Sequence, residues 1–142
     1  MTRTRTVGEL MSSDVVSVPT HTTVVAAAEV MREHDVGDVI VTANGVVRGL
    51  VTDRDLVVRA LGNGLDPITT AVEDVCSMDI VGVQVDTDAE DAALTMRDFA
   101  VRRLPVLDDT GHAVGMISIG DLAAAREPDS ALADISEAPP NW

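Results

Sequence analysis

Two stretches of the sequence pair a hydroxyl with a carboxylate three residues later: Thr52 with Asp55, and Ser118 with Asp121. Each follows a glycine and two apolar residues and precedes a leucine, which predicts a buried strand running directly into a helix. Such a pair forms a capping box, which satisfies the first amides of a helix. The same groups also suit a polar ligand, because a carboxylate accepts hydrogen bonds from a cis-diol and a helix N-terminus favours phosphate.

The two stretches close two copies of one longer repeat. The chain matches itself at an offset of 65 residues up to Asn44 and of 66 from Gly49 onward, a slip that fits an insertion in a surface turn. Each copy predicts the element order β-α-β-β-α. The predicted fold class is therefore α/β (α+β), with two tandem repeats packed around a pseudo-two-fold axis. We expect repeat 1 at residues 7–62, a linker at 63–71, repeat 2 at 72–126 and a C-terminal tail at 127–142.

Local patterns predict the elements within each copy. Asn44-Gly45 predicts a tight hairpin turn. Thr87 and Glu90 have capping-box spacing, so a helix is expected to open at Thr87, and its counterpart near Thr22. First strands are predicted at Val15–Val18 and Ile80–Val83. The core faces of the two helices are predicted to be Val24, Ala27, Ala28 and Met31, and Ala89, Ala92, Ala93, Met96 and Phe99.

Composition narrows the classes of partner. The formal net charge is −14 and lysine is absent, which argues against nucleic acid and anionic membrane surfaces as partners. The 46% of hydrophobic residues predicts an ordered, largely aliphatic core. A single cysteine, Cys76, forms no internal disulfide and indicates a cytoplasmic setting and a buried apolar role. No apolar run approaches the length of a membrane span.

The doubled glycine–apolar–apolar–hydroxyl motif with its aspartate resembles the CBS domain, named after cystathionine β-synthase, and two in tandem resemble a Bateman module. Phrases such as Thr52-Asp53-Arg54-Asp55 and Gly64-Leu65-Asp66-Pro67 resemble stand-alone bacterial pairs of the hypoxic response protein type. The resemblance implies a regulatory protein that is not an enzyme, forms a homodimer and requires no cofactor. Its ligand would be an adenosine-containing small molecule (AMP, ADP or ATP, with NAD and S-adenosylmethionine as further candidates), bound in clefts between the repeats.

The resemblance also assigns site residues. Asp55 and Asp121 would bind the ribose hydroxyls, and Thr52 and Ser118 would lie near the ribose or phosphate. Arg54 has Gly120 as its counterpart, so the first copy is expected to suit phosphate better. Further candidate cations for phosphate are His34, Arg102 and Arg103. The residues expected to flank adenine, partly through backbone groups, are Val16, Val18, Val39, Val81, Val83, Arg103 and Leu104.

Other chemistry has little support in the sequence. Gly115–Gly120 lacks the Gly-x-Ser-x-Gly spacing of a nucleophile elbow, and the three histidines have no companion at metal-ligand spacing. We therefore expect no catalytic and no metal site. An alternative remains open, in which the pairs are capping boxes only and the protein is a structural or adaptor dimer acting through protein–protein contacts. In the ligand-binding case, the output would pass to an effector protein of unknown identity, or the protein would serve to buffer nucleotide.

Overall fold

The computed structural model describes residues 5–78 and 82–126, and the chain divides into two compact units. The first unit is Val15–Ile80 and contains the Thr52–Asp55 motif. The second unit combines Met1–Asp14 with Val81–Trp142 and contains the Ser118–Asp121 motif. The units therefore differ from the sequence repeats, because each unit includes the N-terminal segment of the other repeat.

Both units use the same mixture of helices and strands. Short 3-10 turns lie at Leu61–Asn63 and Val72–Asp74, and a π-helical turn lies at Leu56–Ala60. The helices and strands in chain order are α1 (Val7–Leu10), β1 (Ser17–Pro19), α2 (Val24–His34), β2 (Asp38–Ala43), β3 (Val46–Thr52), α3 (Asp53–Asp55), β4 (Val83–Gln84), α4 (Ala89–Asp98), β5 (Arg103–Leu107), β6 (Ala113–Ser118) and α5 (Ile119–Arg126).

Each unit has a three-stranded mixed sheet. In the order β1-β2-β3, β1 is parallel to β2 and β2 is antiparallel to β3, and β4-β5-β6 repeats this pattern. The α/β fold class is thereby confirmed. The predicted bounds Val15–Val18 of the first strand were wrong: β1 runs over Ser17–Pro19 and pairs with residues 40–42 of β2. Pro19 is tolerated because β1 is an edge strand. Ile80 and Val81 lie outside the described residues, as does the predicted tail 127–142.

The hairpin between β2 and β3 is confirmed at Asn44-Gly45. Both residues have positive φ, 53° and 82°, and they join the paired residues Ala43 and Val46. Positive φ at both central positions belongs to the tight turn whose twist matches the flanking strands. The turn sets the pairing of Ala43 with Val46, and a one-residue register shift between Val41 and Thr42 then brings Thr52, at the end of β3, opposite Asp38 at the start of β2.

Each unit has an aliphatic core between its sheet and its long helix. Val24, Ala27 and Met31 of α2 are buried as predicted, and so are Ala92 and Met96 of α4. Two predicted core positions were wrong. Ala28 is exposed. Phe99 is 55% exposed because α4 ends at Asp98, so residue 99 no longer follows the helical period.

The N-terminal segment of each repeat packs in the unit of the other repeat. Val7 of α1 is fully buried in the core of the second unit, and Ser12 exchanges two backbone hydrogen bonds with Met116 of β6. Ser77 exchanges the equivalent bonds with Leu50 of β3 in the first unit. These contacts explain a motif glycine: a Cβ on Gly49 would lie 2.5 Å from the Ser77 carbonyl oxygen.

The predicted linker caps α2. The first two amides of that helix, at Val24 and Val25, donate to the carbonyl oxygens of Thr70 and Pro67 at 2.9 and 3.0 Å. Thr23 is the N-cap and accepts from the Ala26 amide at 3.1 Å. The predicted linker, which lacks apolar periodicity, therefore supplies hydrogen-bond acceptors to the first amides of α2, which have none within the helix.

The predicted capping box at Thr87 was wrong. The N-cap of α4 is Asp88, which makes no side-chain cap bond, and the first amide, at Ala89, donates to the Arg5 carbonyl oxygen at 2.8 Å. The Thr87 hydroxyl instead accepts from the Gln84 amide at 3.1 Å. The N-terminal segment thus replaces the side-chain cap.

Candidate functional site

In the first unit, the strand-to-helix junction forms a complete capping box. The Thr52 amide donates to Oδ2 of Asp55 at 2.9 Å, and the Asp55 amide donates to Oγ1 of Thr52 at 3.1 Å. The Asp53 amide donates to the Gly37 carbonyl oxygen at 2.9 Å. The box engages one carboxylate oxygen of Asp55 and leaves Oδ1 for other partners.

The second unit repeats this junction almost bond for bond. The Ser118 amide donates to Oδ2 of Asp121 at 2.9 Å, and the Asp121 amide donates to Oγ of Ser118 at 3.1 Å. The Ile119 amide donates to the Arg102 carbonyl oxygen at 2.9 Å. The sequence prediction that both motifs cap helices is confirmed, and in both copies the box uses the same oxygen.

Strand register brings a second part of the predicted site to each junction. Asp38, at the start of β2, lies opposite Thr52 at the end of β3. Arg103, at the start of β5, lies opposite Ser118 at the end of β6. Arg103, expected beside the ligand from the resemblance, is therefore a neighbour of the Ser118 hydroxyl, as Asp38 is of the Thr52 hydroxyl. They differ in charge, with a carboxylate in the first unit and a guanidinium in the second.

Arg59 contacts the first junction, and the sequence prediction missed it. Its Nε lies 3.5 Å from Oδ1 of Asp55, one turn along the chain, where the backbone is π-helical. The Asp55 side chain is 13% exposed and the Arg59 side chain 53%. An aspartate followed four residues later by an arginine is a spacing that favours such pairs, so the signal was present in the sequence.

Three other candidate cations, Arg54, His34 and Arg102, are exposed and lie at separate points of the fold. Arg54 is exposed, and its amide donates to Oδ1 of Asp53 at 2.8 Å. His34 is exposed at the end of α2, where its Nδ1 lies 3.0 Å from the Val30 carbonyl oxygen. Arg102 is exposed directly before β5. The described contacts of Arg54 and His34 are thus local to their own turns.

The apolar residues expected beside adenine lie mostly inside the cores. Val18 and Val39 belong to the core of the first unit, and Val83 and Leu104 to that of the second. Val16 is half-buried, and its carbonyl oxygen accepts from the Ile40 amide at 3.0 Å. Val81 lies outside the described residues. Because their side chains are buried, these residues can contact a ligand only through their backbone groups.

Cys76 has the predicted buried apolar environment. It is 7% exposed, and its Sγ lies 3.3 Å from Sδ of Met78 beside Gly49. Burial raises the pKa of the Cys76 thiol above its ordinary value, and the negative charge of Asp55 raises it further. The thiol is therefore held protonated, which disfavours a nucleophilic role.

The described ranges, 5–78 and 82–126, also bear on metal binding and on membrane-spanning helices. Within them, no three side chains of His, Cys, Asp or Glu come together as a group that could hold a metal ion. No helix in the same ranges has both the length and the hydropathy that crossing a membrane requires.

Comparison with known proteins identifies the family to which these junctions belong. The sequence profile of the CBS domain matches residues 7–62 and again 72–127. The chain belongs to the CBS domain family. Its two CBS repeats account for the duplicated junction, because each repeat ends its last strand on the hydroxyl–carboxylate pair.

Several CBS proteins resemble this chain over most of their length. The CBS domain-containing protein YhcV of Bacillus subtilis is 35% identical over 134 residues, or 92% of this chain and 94% of that protein. Hypoxic response protein 1 of Mycobacterium tuberculosis is 33% identical over 119 residues, or 83% and 82% of the two chains. A crystal structure of Hypoxic Response Protein I, described with two coordinated zinc ions, has a TM-score of 0.76 and covers 83% of this chain and 96% of that one.

A fourth comparison concerns the fold alone, since sequence identity is 17%. The CBS domain pair of protein MJ0100 has a TM-score of 0.80 and covers 90% of this chain and 100% of that one. That structure is described as a complex with 5′-methylthioadenosine and S-adenosyl-L-methionine.

Proposed function

We propose that this chain is a stand-alone regulatory CBS pair that binds an adenosine-containing ligand, with AMP, ADP and ATP as first candidates and NAD and S-adenosylmethionine as further ones. The observation that carries the proposal is the duplicated junction, in which Asp55 and Asp121 each keep one carboxylate oxygen outside the capping box. That a CBS pair of the same fold holds two adenosine compounds supports the ligand class.

The proposed chemistry is ribose recognition. In each copy the backbone fixes Oδ2 of the aspartate, so the carboxylate is oriented before any ligand arrives. A carboxylate oxygen has two lone-pair positions, and hydrogen bonds from hydroxyls to a charged acceptor are stronger than neutral ones. Oδ1 can therefore accept from the cis-diol while the helix start remains capped. Binding and regulation, rather than turnover, are the proposed activity.

We propose that the second copy is the better phosphate site, which reverses the sequence expectation from Arg54. At the first junction, the positions that differ in charge between the copies are Gly37, Asp38, Asp53, Arg54 and Arg59, with a formal sum of 0. The corresponding positions at the second junction are Arg102, Arg103, Ile119, Gly120 and Ala125, with a formal sum of +2. In the first copy the Asp53 side chain also accepts from the amide at position 54, whereas Ile119 has no acceptor for the Gly120 amide.

A second copy of the chain is the proposed physical partner, giving a homodimer. The segment 57–68 exposes Val57, Val58, Leu61, Leu65 and Ile68, from 39% to 71%. It has one arginine and one aspartate, so it is formally neutral in a chain of net charge −14. Two strongly acidic chains repel each other least where such neutral apolar surfaces meet. Light scattering should give a dimer mass for the native chain and a monomer mass for Val57→Asp with Leu61→Asp.

The setting proposed is a reducing cytoplasm, with an effector protein as the receiver of the signal. The single cysteine supports it, since Cys76 is buried and has no partner cysteine for a disulfide. Each unit has one of the proposed ligand-binding junctions, so ligand binding at either junction could alter the surface that a bound effector protein contacts.

Thermal unfolding in the presence of candidate ligands tests the proposal. A ligand at one hundred times its Kd should add about 2.7 kcal/mol to the free energy of unfolding, which raises the Tm by several degrees. GMP and 2′-deoxyadenosine serve as controls that lack the adenine base and the cis-diol, respectively. If no adenosine compound raises the Tm of folded protein, the structural or adaptor alternative is favoured, because the complete capping boxes then explain both motifs.

A further inference from the structure

We infer that Arg59 competes with the ribose for the carboxylate of Asp55, and so sets the ligand affinity of the first copy. The inference rests on the proposed adenosine binding and assigns a residue that the motif does not include. Arg59 lies outside the glycine-to-leucine stretch that the two copies share.

In the proposed complex, the ribose and Arg59 would both bind the same carboxylate oxygen, Oδ1 of Asp55. The Thr52 amide occupies Oδ2 of Asp55 at 2.9 Å, and Nε of Arg59 lies 3.5 Å from Oδ1. The Asp55 side chain is 13% exposed, so little of its carboxylate remains open to approach. A ribose diol must therefore share Oδ1 with the guanidinium or displace it.

The second copy lacks this competitor. The position four residues after Asp121 is Ala125, whereas four residues after Asp55 it is Arg59. The two capping boxes otherwise agree, with both cap amides 2.9 Å from Oδ2. The chain thus contains its own comparison, in which the same capping box occurs with and without an arginine four residues after its aspartate.

The size of the effect follows from the exposure of Arg59. An ion pair with one partner half-exposed to water contributes little, and its loss corresponds to about a two- to fivefold change in an equilibrium constant. Removing the guanidinium should therefore tighten ribose binding at Asp55 by about two- to fivefold. It should leave Asp121 unaffected.

Site-resolved nuclear magnetic resonance separates the copies without silencing either. The backbone amides of Asp55 and Asp121 each donate to the hydroxyl of their own box, so each reports on its own copy. Adenosine, which has the diol and no phosphate, is titrated into native protein and into Arg59→Ala. Arg48→Ala removes the same charge from an exposed position on β3 and serves as the matched control. Ala125→Arg introduces the missing arginine into the second copy.

The expected result is a midpoint at the Asp55 amide that falls about two- to fivefold in Arg59→Ala and stays unchanged in Arg48→Ala. In Ala125→Arg the midpoint at Asp121 should rise by a similar factor. An Asp55 midpoint that is unchanged or higher in Arg59→Ala, while Asp121 titrates as in native protein, overturns the inference and leaves the proposed function standing. If neither amide responds to adenosine or AMP in native protein, the proposed function and the inference both fail.

Discussion

Gly49 and Ser77 lie so close together that a Cβ on residue 49 would stand 2.5 Å from the Ser77 carbonyl oxygen. The approach exists because Leu50 and Ser77 exchange two backbone hydrogen bonds of 3.0 and 3.1 Å, which attach the start of repeat 2 to β3 of the first unit. The glycine that opens the motif is thus required by packing, at a point three residues before the Thr52 cap.

Gly49→Ala should destabilise the protein by about 1–3 kcal/mol, since the backbone contact cannot yield as a flexible side chain would. Urea unfolding measures this. Gly62→Ala is the matched control, because its Cβ would meet its nearest atom at 3.4 Å, an ordinary contact, and alanine restricts the unfolded chain. Equal midpoints for Gly49→Ala and native protein would show that the two segments are not joined as described.

Val7 tests the exchange of N-terminal segments. It is fully buried in the core of the second unit, although it begins repeat 1. Val7→Ala removes two methyl groups from that core and should cost about 2 kcal/mol of unfolding free energy. Val101→Ala, at a residue 37% exposed, should cost far less. A Val7→Ala variant as stable as Val101→Ala would indicate that the segment does not contribute to the core.

Ala100 is expected to be a site of backbone strain. Its φ is +54°, at the turn after α4, where the first repeat has Asp35 at the same φ. An alanine in the left-handed region costs about 1 kcal/mol or more, and glycine does not. Glycine also gives the unfolded chain more freedom, which offsets part of this gain, so Ala100→Gly should raise the Tm by about one to three degrees in a calorimeter. A lower Tm would contradict the left-handed conformation.

Asp108 gives a pH-dependent prediction. Hydrogen bonds from the Thr110 hydroxyl, the His112 amide and the Thr110 amide lower the pKa of the Asp108 carboxyl below its ordinary value of 3.8. A lowered folded pKa means that the turn is stabilised above pH 3.8 and that this contribution disappears as the pH falls through the folded pKa.

Carboxyl titration by nuclear magnetic resonance measures this directly. Thr110→Ala removes the largest cause and should raise the pKa of Asp108 toward 3.8. Asp109, its exposed neighbour, provides the control carboxylate within the same spectra. A pKa for Asp108 that Thr110→Ala leaves unchanged would exclude the hydroxyl as the cause.

Features that depend on neighbours in sequence could be predicted from the sequence. The Asn44-Gly45 turn and both capping boxes arise from side chains and backbone within three residues of each other, so local chemistry sufficed. The doubled motif also indicated the family, because independent copies of a weak signal reinforce one another.

Features that depend on contacts between residues distant in the sequence could not be predicted from the sequence. The Thr87 capping box failed because the Arg5 carbonyl, eighty-four positions away in the numbering from Ala89, supplies the acceptor. Burial of Val7 in the second unit likewise depends on which repeat the N-terminal segment packs against. The hydrophobic periodicity of the sequence does not indicate this. The contact of Arg59 with Asp55 could be predicted from their four-residue spacing. The motif that the copies share does not include position 59, so a comparison of the copies does not identify it.

Calorimetric titration of AMP into native protein and into Asp55→Asn with Asp121→Asn tests the central claim most directly. Asparagine keeps an oxygen that accepts from the cap amide, but it replaces the second, charged oxygen with a neutral NH2 group that cannot accept a hydrogen bond from the diol. Native protein should bind AMP, and the double variant should bind at least about tenfold more weakly, with its unfolding free energy within about 1 kcal/mol of native. Equal affinity in the double variant, or no heat of binding to folded native protein with AMP, ADP, ATP, NAD or S-adenosylmethionine, would contradict the account.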